Sequence, residues 1–329
     1  MKSKFNIFFL LAVVAMMVAS QSCDYGKPSH SATSGISKVI CEESFQNILE
    51  QEIGVFEYQY PEASVLPRYL SENAAFDSLF SGKVDLIVVS HDLAKNEKDY
   101  LKSSSRAYRS RMIAVDAVAI IVNKDNDIDE LSMTELKDIF TGKYRIWGKV
   151  TPTKTLKNDS ILLVFDNNSS GIFHYVSDNF LNGGLFSFQV YSQQSPEDVF
   201  KAVEKHKNAI GFVGVSWITD DMKASLSVEE RVKELNNENM GPVAIDFTDR
   251  IKVMKVRADD KLKAYKPYQY YINSGDYPLI RKIYAIDASP MGTVDHSFFV
   301  FLTSVIGQKI ILQTGVMPGA EPVRNVEVK

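Results

Sequence analysis

Serine hydroxyl groups stand where strand-like segments give way to helix-like ones at four places in the chain. These junctions carry Ser44, Ser71, Ser90 and the pair Ser169-Ser170. At such a junction a hydroxyl lies beside backbone N–H groups that have no partner within the helix, at the positive end of the helix dipole. Neutral donors arranged in this way can hold an oxyanion. Serine is also an ordinary helix N-cap, so the interpretation depends on the recurrence of the pattern.

The stretch 165–184, FDNNSSGIFHYVSDNFLNGG, shows the pattern most clearly. The apolar run before it predicts a strand, and the polar corner DNNSSG predicts a tight turn. Phe173, Val176 and Phe180 then recur at helical spacing, which predicts an amphipathic helix that begins near Gly171. We therefore expect a strand, a turn and a helix start, with free N–H groups at the turn.

Strands and helices alternate along most of the chain, as in a doubly wound α/β sheet. The run 84–89 is almost entirely apolar and predicts a buried strand that ends at Ser90-His91-Asp92. In such sheets, ligands bind beyond the carboxyl ends of the strands. The runs 111–123 and 277–286 are candidate crossovers between two lobes, and 297–313 predicts one last long helix. Four donor junctions on this frame predict an oxyanion cleft between the lobes.

Bulk composition limits the function further. The chain has 329 residues, 45% hydrophobic and 24% charged, which is enough for two globular lobes. A net charge of −4 argues against nucleic-acid binding, which needs clustered basic charge. Two cysteines and five histidines offer no metal-ligand spacing, so we expect no metal and no cofactor. We also expect a monomer.

The N-terminus predicts export and a lipid anchor. Lys2 and Lys4 precede an apolar run at 5–19, which is typical of a signal peptide. Cys23 follows small residues at its end and resembles the lipidated cysteine of the bacterial lipoprotein lipobox, although Ser20 stands where that pattern usually has leucine. An ordinary secreted protein cut nearby is the alternative. Cys41 lies in a predicted strand and is most simply a small buried residue.

The predicted organisation has four parts. Residues 1–22 form the signal peptide and 23–35 a lipidated, flexible tether. Residues 36–117 together with 275–329 form the first lobe, and 118–274 form the second.

Several longer segments resemble the periplasmic phosphate-binding proteins of bacterial ABC importers, in particular the lipoprotein forms of the Bacteroidetes type. They are NKDNDIDELSMTELKDIFTGKYRIW at 123–147, NNSSG at 167–171, AIGFVGVSW at 209–217, YPLIRKIYAI at 277–286 and GQKIILQTGVMP at 307–318. The resemblance covers residues 36–329. It implies a two-lobed type II solute-binding fold that closes on phosphate like a hinged clamp and delivers it to an ABC permease.

The resemblance also implies ligand contacts. The ligand-binding residues predicted from the junctions and the resemblance together are Ser44, Phe45, Ser71, Ser90, Asn168, Ser169, Ser170 and Gly171. His91 and Asp166 are candidate further contacts, although a structurally bonded histidine and a turn-capping aspartate are the simpler interpretations.

This sequence departs from the family pattern at two positions. Ser90 stands where the family usually has an aspartate, and Phe165 or Asp166 stands where it has an arginine. A carboxylate there would accept the proton that hydrogen phosphate carries and sulfate lacks, and the arginine would add a charge-assisted contact. The predicted preference for phosphate is weakened by both changes.

Three alternatives stay open at this point. The first is a binder of another oxyanion or of an organic phosphate. The second is a hydrolase that uses Ser90-His91-Asp92, although side chains of adjacent residues on a strand end point in different directions and no G-x-S-x-G motif is present. The third is a degenerate family member that keeps the fold and acts as a surface sensor or adhesin.

Overall fold

The computed structural model describes residues 31–168, 170–187, 189–222, 226–236 and 251–320, apart from the side chains of 220–222. The predicted signal peptide, Cys23, most of the tether and Ser169 lie outside these residues. Within the described ranges, no helix has both the length and the apolar character needed to cross a membrane.

Strands and helices alternate as the sequence predicts. The strands are β1 (Gly35–Glu42), β2 (Ala63–Leu70), β3 (Leu86–Val89), β4 (Arg109–Asn123), β5 (Glu130–Ser132), β6 (Leu162–Phe165), β7 (Tyr191–Ser192), β8 (Ala209–Gly214), β9 (Ile251–Val253), β10 (Lys255–Arg257), β11 (Ile280–Asp287) and β12 (Met317–Pro318). The helices are α1 (Gln46–Gln59), α2 (Glu72–Phe80), α3 (Lys95–Ser103), α4 (Met133–Phe140), α5 (Trp147–Val150), α6 (Gly171–Leu181), α7 (Pro196–Lys205), α8 (Val215–Met222), α9 (Val228–Leu235), α10 (Gln269–Asn273), α11 (Val294–Leu302) and α12 (Val305–Gln313).

Most strands join one curled sheet in the order β2-β1-β3-β11-β4-β8-β6-β7. β1 pairs in parallel with β2 and β3 in one half, and β6 pairs in parallel with β7 and β8 in the other. Parallel neighbours joined through helices are the signature of doubly wound α/β folds. The structure confirms the predicted two-lobed α/β architecture.

The long strand β4 connects the two halves, as predicted for a crossover. Its residues up to Ala117 pair with β11, whereas Val118 to Val122 pair with β8. We call the half containing β1, β2, β3 and β11 the first lobe and the half containing β6, β7 and β8 the second lobe. The change of partner coincides with the lobe boundary predicted from the sequence, and the lobe limits themselves stay a prediction.

Two features differ from the expectations. The predicted helix 297–313 is two helices, because Ser304 has an extended backbone and its hydroxyl accepts the N–H of Gly307, which starts α12 anew. The second feature is the position of α9, which falls in the stretch 118–274 that was expected to form the second lobe. Leu235 is instead buried in the apolar cluster of the first lobe, and Arg231 donates to Gln51 on α1. The apolar positions of α9 thus attach it to the first lobe.

Candidate functional site

A cleft of about 580 Å³ lies where the two lobes meet. Its walls come from the segments that follow β2 and β3, from the start of β11 and from one face of α6. The lining residues are Ser71, Glu72, Asn73, Ser90, Gly171, His174, Tyr175, Asp178, Asn179, Ile280, Arg281 and Lys282. The cleft therefore includes Ser71, Ser90 and Gly171, three of the residues predicted from the sequence.

Ser44 lies just after β1, in a short 3₁₀ turn over Glu43–Phe45. The turn begins at Glu42, whose side chain accepts the N–H of Ser44 at 3.1 Å. The Ser44 hydroxyl donates to Oε2 of Glu42 at 2.5 Å and accepts from Nη1 of Arg281 at 2.8 Å. Ser44 is therefore buried in a polar network that links β1 to β11.

Gly171 brings the second lobe into the same network. It is the first residue of α6, whose N-cap Ser170 accepts the N–H of Phe173. The N–H of Gly171 donates to Oε1 of Glu42 at 3.0 Å. A Cβ at position 171 would lie 2.5 Å from Cδ of Glu42, so only glycine allows this approach. The free N–H at the start of α6 binds an anionic group, as the dipole argument predicts.

Arg281 supplies the positive charge of the site. Its side chain extends from β11, is only 2% exposed and donates from Nη2 to Oδ2 of Asp116 at 2.6 Å. Its guanidinium also lies 4.7 Å from the centre of the Phe45 ring, a cation–π contact. The Nε–H of Arg281 is buried and has no acceptor among the described residues. Phe45, which was predicted to contact the ligand, thus stacks against the guanidinium of Arg281.

Arg281 was not among the residues predicted from the sequence. The family's arginine is missing beside the serine turn, and a different strand, β11, supplies a cation instead. The available signal was a charged residue inside the apolar run YPLIRKIYAI, together with an aspartate inside the apolar run of β4. A buried charge needs a partner of opposite sign, and Arg281 and Asp116 are 2.6 Å apart.

Buried carboxyl groups outnumber buried cations around this network. Burial raises the pKa of Glu42, against the opposing effects of Arg281 and of hydrogen bonds from Ser44 and Gly171. Burial also raises the pKa of Asp116, again opposed by Arg281. Burial also raises the pKa of Asp166, which lies in the turn between β6 and α6. A further anion in this place must therefore compete with negative charge that is already present.

The other predicted donors, Ser71 and Ser90, line the cleft directly after β2 and β3. Glu72 accepts the N–H and the hydroxyl of Ser90 at 2.6 Å and 2.9 Å. Ser71 is the N-cap residue of α2 and lines the cleft, and its side chain makes no capping bond. The hydroxyl of Ser90 is held by the carboxylate of Glu72, whereas that of Ser71 is not used to cap its helix.

The hydrolase alternative has no geometric support. Ser90 and His91 both bind Glu72, the histidine through Nδ1 at 3.1 Å. His91 is half exposed and stacks on Phe76. Asp92 accepts from Lys98 and Ser110. No chain from nucleophile to base to orienting carboxylate connects Ser90, His91 and Asp92 in the described structure.

Three further candidates of the serine turn, Asp166, Asn168 and Ser170, are not among the residues that line the cleft. Asp166 is buried and accepts from the N–H of Asn167, in agreement with a turn-capping role. Asn168 is exposed on the turn. Ser170 is buried and caps α6. Ser169 lies outside the described residues, so its proposed ligand contact stays a prediction.

No cluster of histidine, cysteine and acidic residues suited to a metal ion occurs within the part of the chain that the structure describes. Cys41, which was expected to be a small buried residue, is buried in β1 as a free thiol. The chemistry of the site consists of hydrogen bonding and charge.

Comparison with known proteins gives one matching family model and several named relatives. A family model described as a PBP superfamily domain matches residues 26–304. The phosphate-binding protein PstS of Staphylococcus haemolyticus is 26% identical over 231 residues, which cover 68% of this chain and 62% of that protein. The corresponding protein of Staphylococcus epidermidis is 25% identical over 233 residues and 62% of its length. The chain thus spans less than two thirds of these relatives.

Solved structures share the fold. A phosphate ABC transporter substrate-binding protein from Clostridium perfringens, with bound phosphate, superposes with a TM-score of 0.64 at 18% identity, covering 86% of this chain and 99% of that one. An ABC-type phosphate transport receptor from Vibrio cholerae gives a TM-score of 0.61 at 18% identity, covering 85% and 99%.

Proposed function

The chain belongs to the PBP superfamily, and on that premise we propose that it captures an inorganic oxyanion, phosphate in the first place, between its two lobes. The observation that carries the proposal is the convergence of three donors on one negative group. Ser44 from the first lobe, Gly171 from the second and Arg281 from β11 all surround the carboxylate of Glu42. We call these three residues the donor cluster.

A donor cluster of this composition suits a tetrahedral anion. Backbone N–H and serine hydroxyl groups fix the positions of individual oxygens, while the guanidinium balances charge. The three donors come from segments far apart in the sequence, so their meeting at one point is a property of the fold. The relatives that are named phosphate-binding proteins support phosphate as the first ligand to test.

Transport is the context that we propose for this binding. The protein would act outside the cytoplasm, held to a membrane by a lipid on Cys23, and would hand its ligand to the permease of an ABC importer. It would act as a binding protein without making or breaking bonds. Metabolic labelling with a tagged fatty acid tests the anchor: the wild type should carry the label and Cys23→Ser should not, and an unlabelled wild type would argue against the anchor.

Calorimetric titration of the mature chain with phosphate, arsenate and sulfate tests the ligand. We expect saturable binding of phosphate and arsenate with one site per chain, and weaker binding of sulfate. A ligand at a hundred times its dissociation constant should stabilise the fold by about 2.7 kcal/mol, which a thermal melt detects. Failure of all three ions to bind or to shift the melt would refute the proposal.

A second candidate, a surface sensor or adhesin without a small-anion ligand, is favoured by one observation. Glu42 and Glu72 already accept hydrogen bonds from Ser44, Gly171 and Ser90, the donors that an oxyanion would use. This candidate predicts an unchanged melting temperature with every small anion. The same melts therefore discriminate between the two functions.

A further inference from the structure

The carboxylate of Glu42 has the position and the partners of a bound anion. Its Oε1 accepts the N–H groups of Ser44 at 3.1 Å and of Gly171 at 3.0 Å, and its Oε2 accepts the Ser44 hydroxyl at 2.5 Å. Nη1 of Arg281 lies 3.8 Å from Oε2. Each member of the donor cluster therefore faces one side chain of the protein itself.

Space at this point admits one anion only. Glu42 is 1% exposed, and its carboxylate lies so close to the start of α6 that even a methyl group at position 171 would overlap it. An oxyanion that bonds to the N–H of Gly171 and to the Ser44 hydroxyl would need the volume that the Glu42 oxygens fill. The adjoining cleft of about 580 Å³ has room for a side chain that moves out.

Charge gives a second reason for exclusion. Arg281 is already paired with Asp116 at 2.6 Å, so it cannot neutralise both Glu42 and an added anion. Two like charges at hydrogen-bond distance in a buried site repel strongly. Arg281 nevertheless keeps a buried Nε–H without an acceptor among the described residues, which leaves one donor for an incoming ligand.

We propose that Glu42 is an internal competitor for the oxyanion: its carboxylate occupies the donor cluster and must be displaced before a ligand can bind there. This inference rests on the proposed function. It assigns Glu42 the role of setting affinity, because the apparent dissociation constant equals the intrinsic one divided by the fraction of molecules in which the cluster is free. It also explains how the fold keeps buried donors satisfied between captures.

The test compares phosphate binding by the wild type, Glu42→Gln, Glu42→Ala and Asp99→Asn in the mature chain. Asp99 is exposed on α3 and is not among the residues that line the cleft, so Asp99→Asn removes one negative charge without vacating the cluster. Titration calorimetry gives each dissociation constant, and thermal melts confirm that each variant folds.

We expect Glu42→Ala, which vacates the cluster, to bind phosphate at least about tenfold more tightly than the wild type. Glu42→Gln removes the charge but keeps the volume, so its affinity should lie between these two, and Asp99→Asn should change the affinity by less than about twofold. Equal or weaker binding by both Glu42 variants, while the wild type binds, would overturn the inference and leave the proposed function standing. Absence of binding by the wild type and by both folded Glu42 variants would instead refute the proposed function.

A crystal structure of the wild type with phosphate provides a measurement that needs no variant. Displacement requires the Glu42 oxygens to lie beyond hydrogen-bond distance, more than about 3.5 Å, from the N–H of Gly171. A structure with phosphate in the cleft and Glu42 still bonded to Gly171 and Ser44 would overturn the inference.

Discussion

Glu42 and Gly171 are 129 residues apart in the sequence, yet one hydrogen bond of 3.0 Å joins them across the boundary between the lobes. The carboxylate belongs to the first lobe and the N–H to the second, so a single side chain bridges the two halves of the clamp. The bond joins a buried carboxylate at the end of β1 to the N-terminus of α6, where backbone N–H groups attract anions. Most of the predictions below concern this bridge and its neighbours.

Binding should depend on pH through Glu42. The folded-state pKa of this carboxyl is raised, so protonation as the pH falls removes its charge and weakens its hold on the donors. Arg281 is the charged group that opposes this shift, and Arg281 is itself paired with Asp116. We expect phosphate affinity to increase from pH 8 towards pH 5 more steeply in the wild type than in Glu42→Gln. Because phosphate itself titrates in this range, the difference between the two slopes is the informative quantity, and parallel slopes would contradict the prediction.

Substitution of Arg281 should damage the fold as well as the site. Arg281→Met leaves Asp116 as an uncompensated buried charge, which costs about 3–5 kcal/mol of unfolding free energy. Asp116→Asn in the same chain removes that charge, so the double variant should recover much of the loss. Urea denaturation measures the stability of both. An equally low stability of the single and the double variant would show that the pair does not act as a unit.

Gly171→Ala tests the close approach of α6 to Glu42. The added Cβ would overlap the carboxylate, so we expect a loss of about 1–3 kcal/mol, as for other overpacked sites. In the Glu42→Ala background the obstacle is absent, and the same substitution should cost little. Four denaturation curves complete this double-mutant cycle. An equal loss of unfolding free energy in both backgrounds would show that the strain does not arise from contact with Glu42.

Ser71 and Ser170 should separate binding from capping. Ser170 accepts the N–H of Phe173, so Ser170→Ala should lower stability by about 1 kcal/mol. The Ser71 side chain caps nothing, so Ser71→Ala should leave the melting temperature nearly unchanged and weaken phosphate binding. Calorimetry and thermal melts of both variants measure the two effects. A destabilised Ser71→Ala variant with unaltered affinity would contradict the assignment.

Glu52 on α1 should make stability depend on pH. Both of its oxygens are buried without a hydrogen-bond partner among the described residues, and burial raises its pKa well above the usual value, opposed only by Arg231. A raised carboxyl pKa contributes stability that is present below about pH 4.5 and is lost as the pH rises through the folded-state value. Glu52→Gln should therefore gain stability over the wild type at pH 8 and lose that advantage at pH 4.5. A constant difference between the two melting temperatures would contradict this reasoning.

The sequence predicted those parts of the structure that depend on local patterns. The strand that contains Cys41, the buried strand before Ser90 and the turn before α6 all appear in the structure, because each is set by neighbours within a few residues. The two-lobed fold followed from their alternation and from the family resemblance. The break at Ser304 was missed because the apolar spacing continues across it, while one hydroxyl restarts the helix.

The composition of the site was harder to predict, because it depends on contacts between distant segments. Ser44, Phe45 and Gly171 were predicted as ligand contacts and lie against Glu42 or Arg281 in the structure, but Glu42 and Arg281 themselves were not predicted. Nothing in the immediate sequence of Glu42 indicates that its carboxylate reaches an N–H on the other lobe. A charged residue at the end of an apolar strand usually indicates that the strand ends at the solvent. Only the fold shows that Glu42 is buried.

The fluorescence of Trp217 on α8 should report on the turn that contains Ser44. The indole Nε1–H of Trp217 donates to the carbonyl of Ser44 at 3.1 Å, so the ring is in direct contact with that turn. The chain has only one other tryptophan, Trp147, which is buried in the core of the second lobe. Any rearrangement of the Ser44 turn should therefore alter the intrinsic fluorescence of Trp217 against a steady Trp147 background, so the native chain carries its own unlabelled reporter of occupancy.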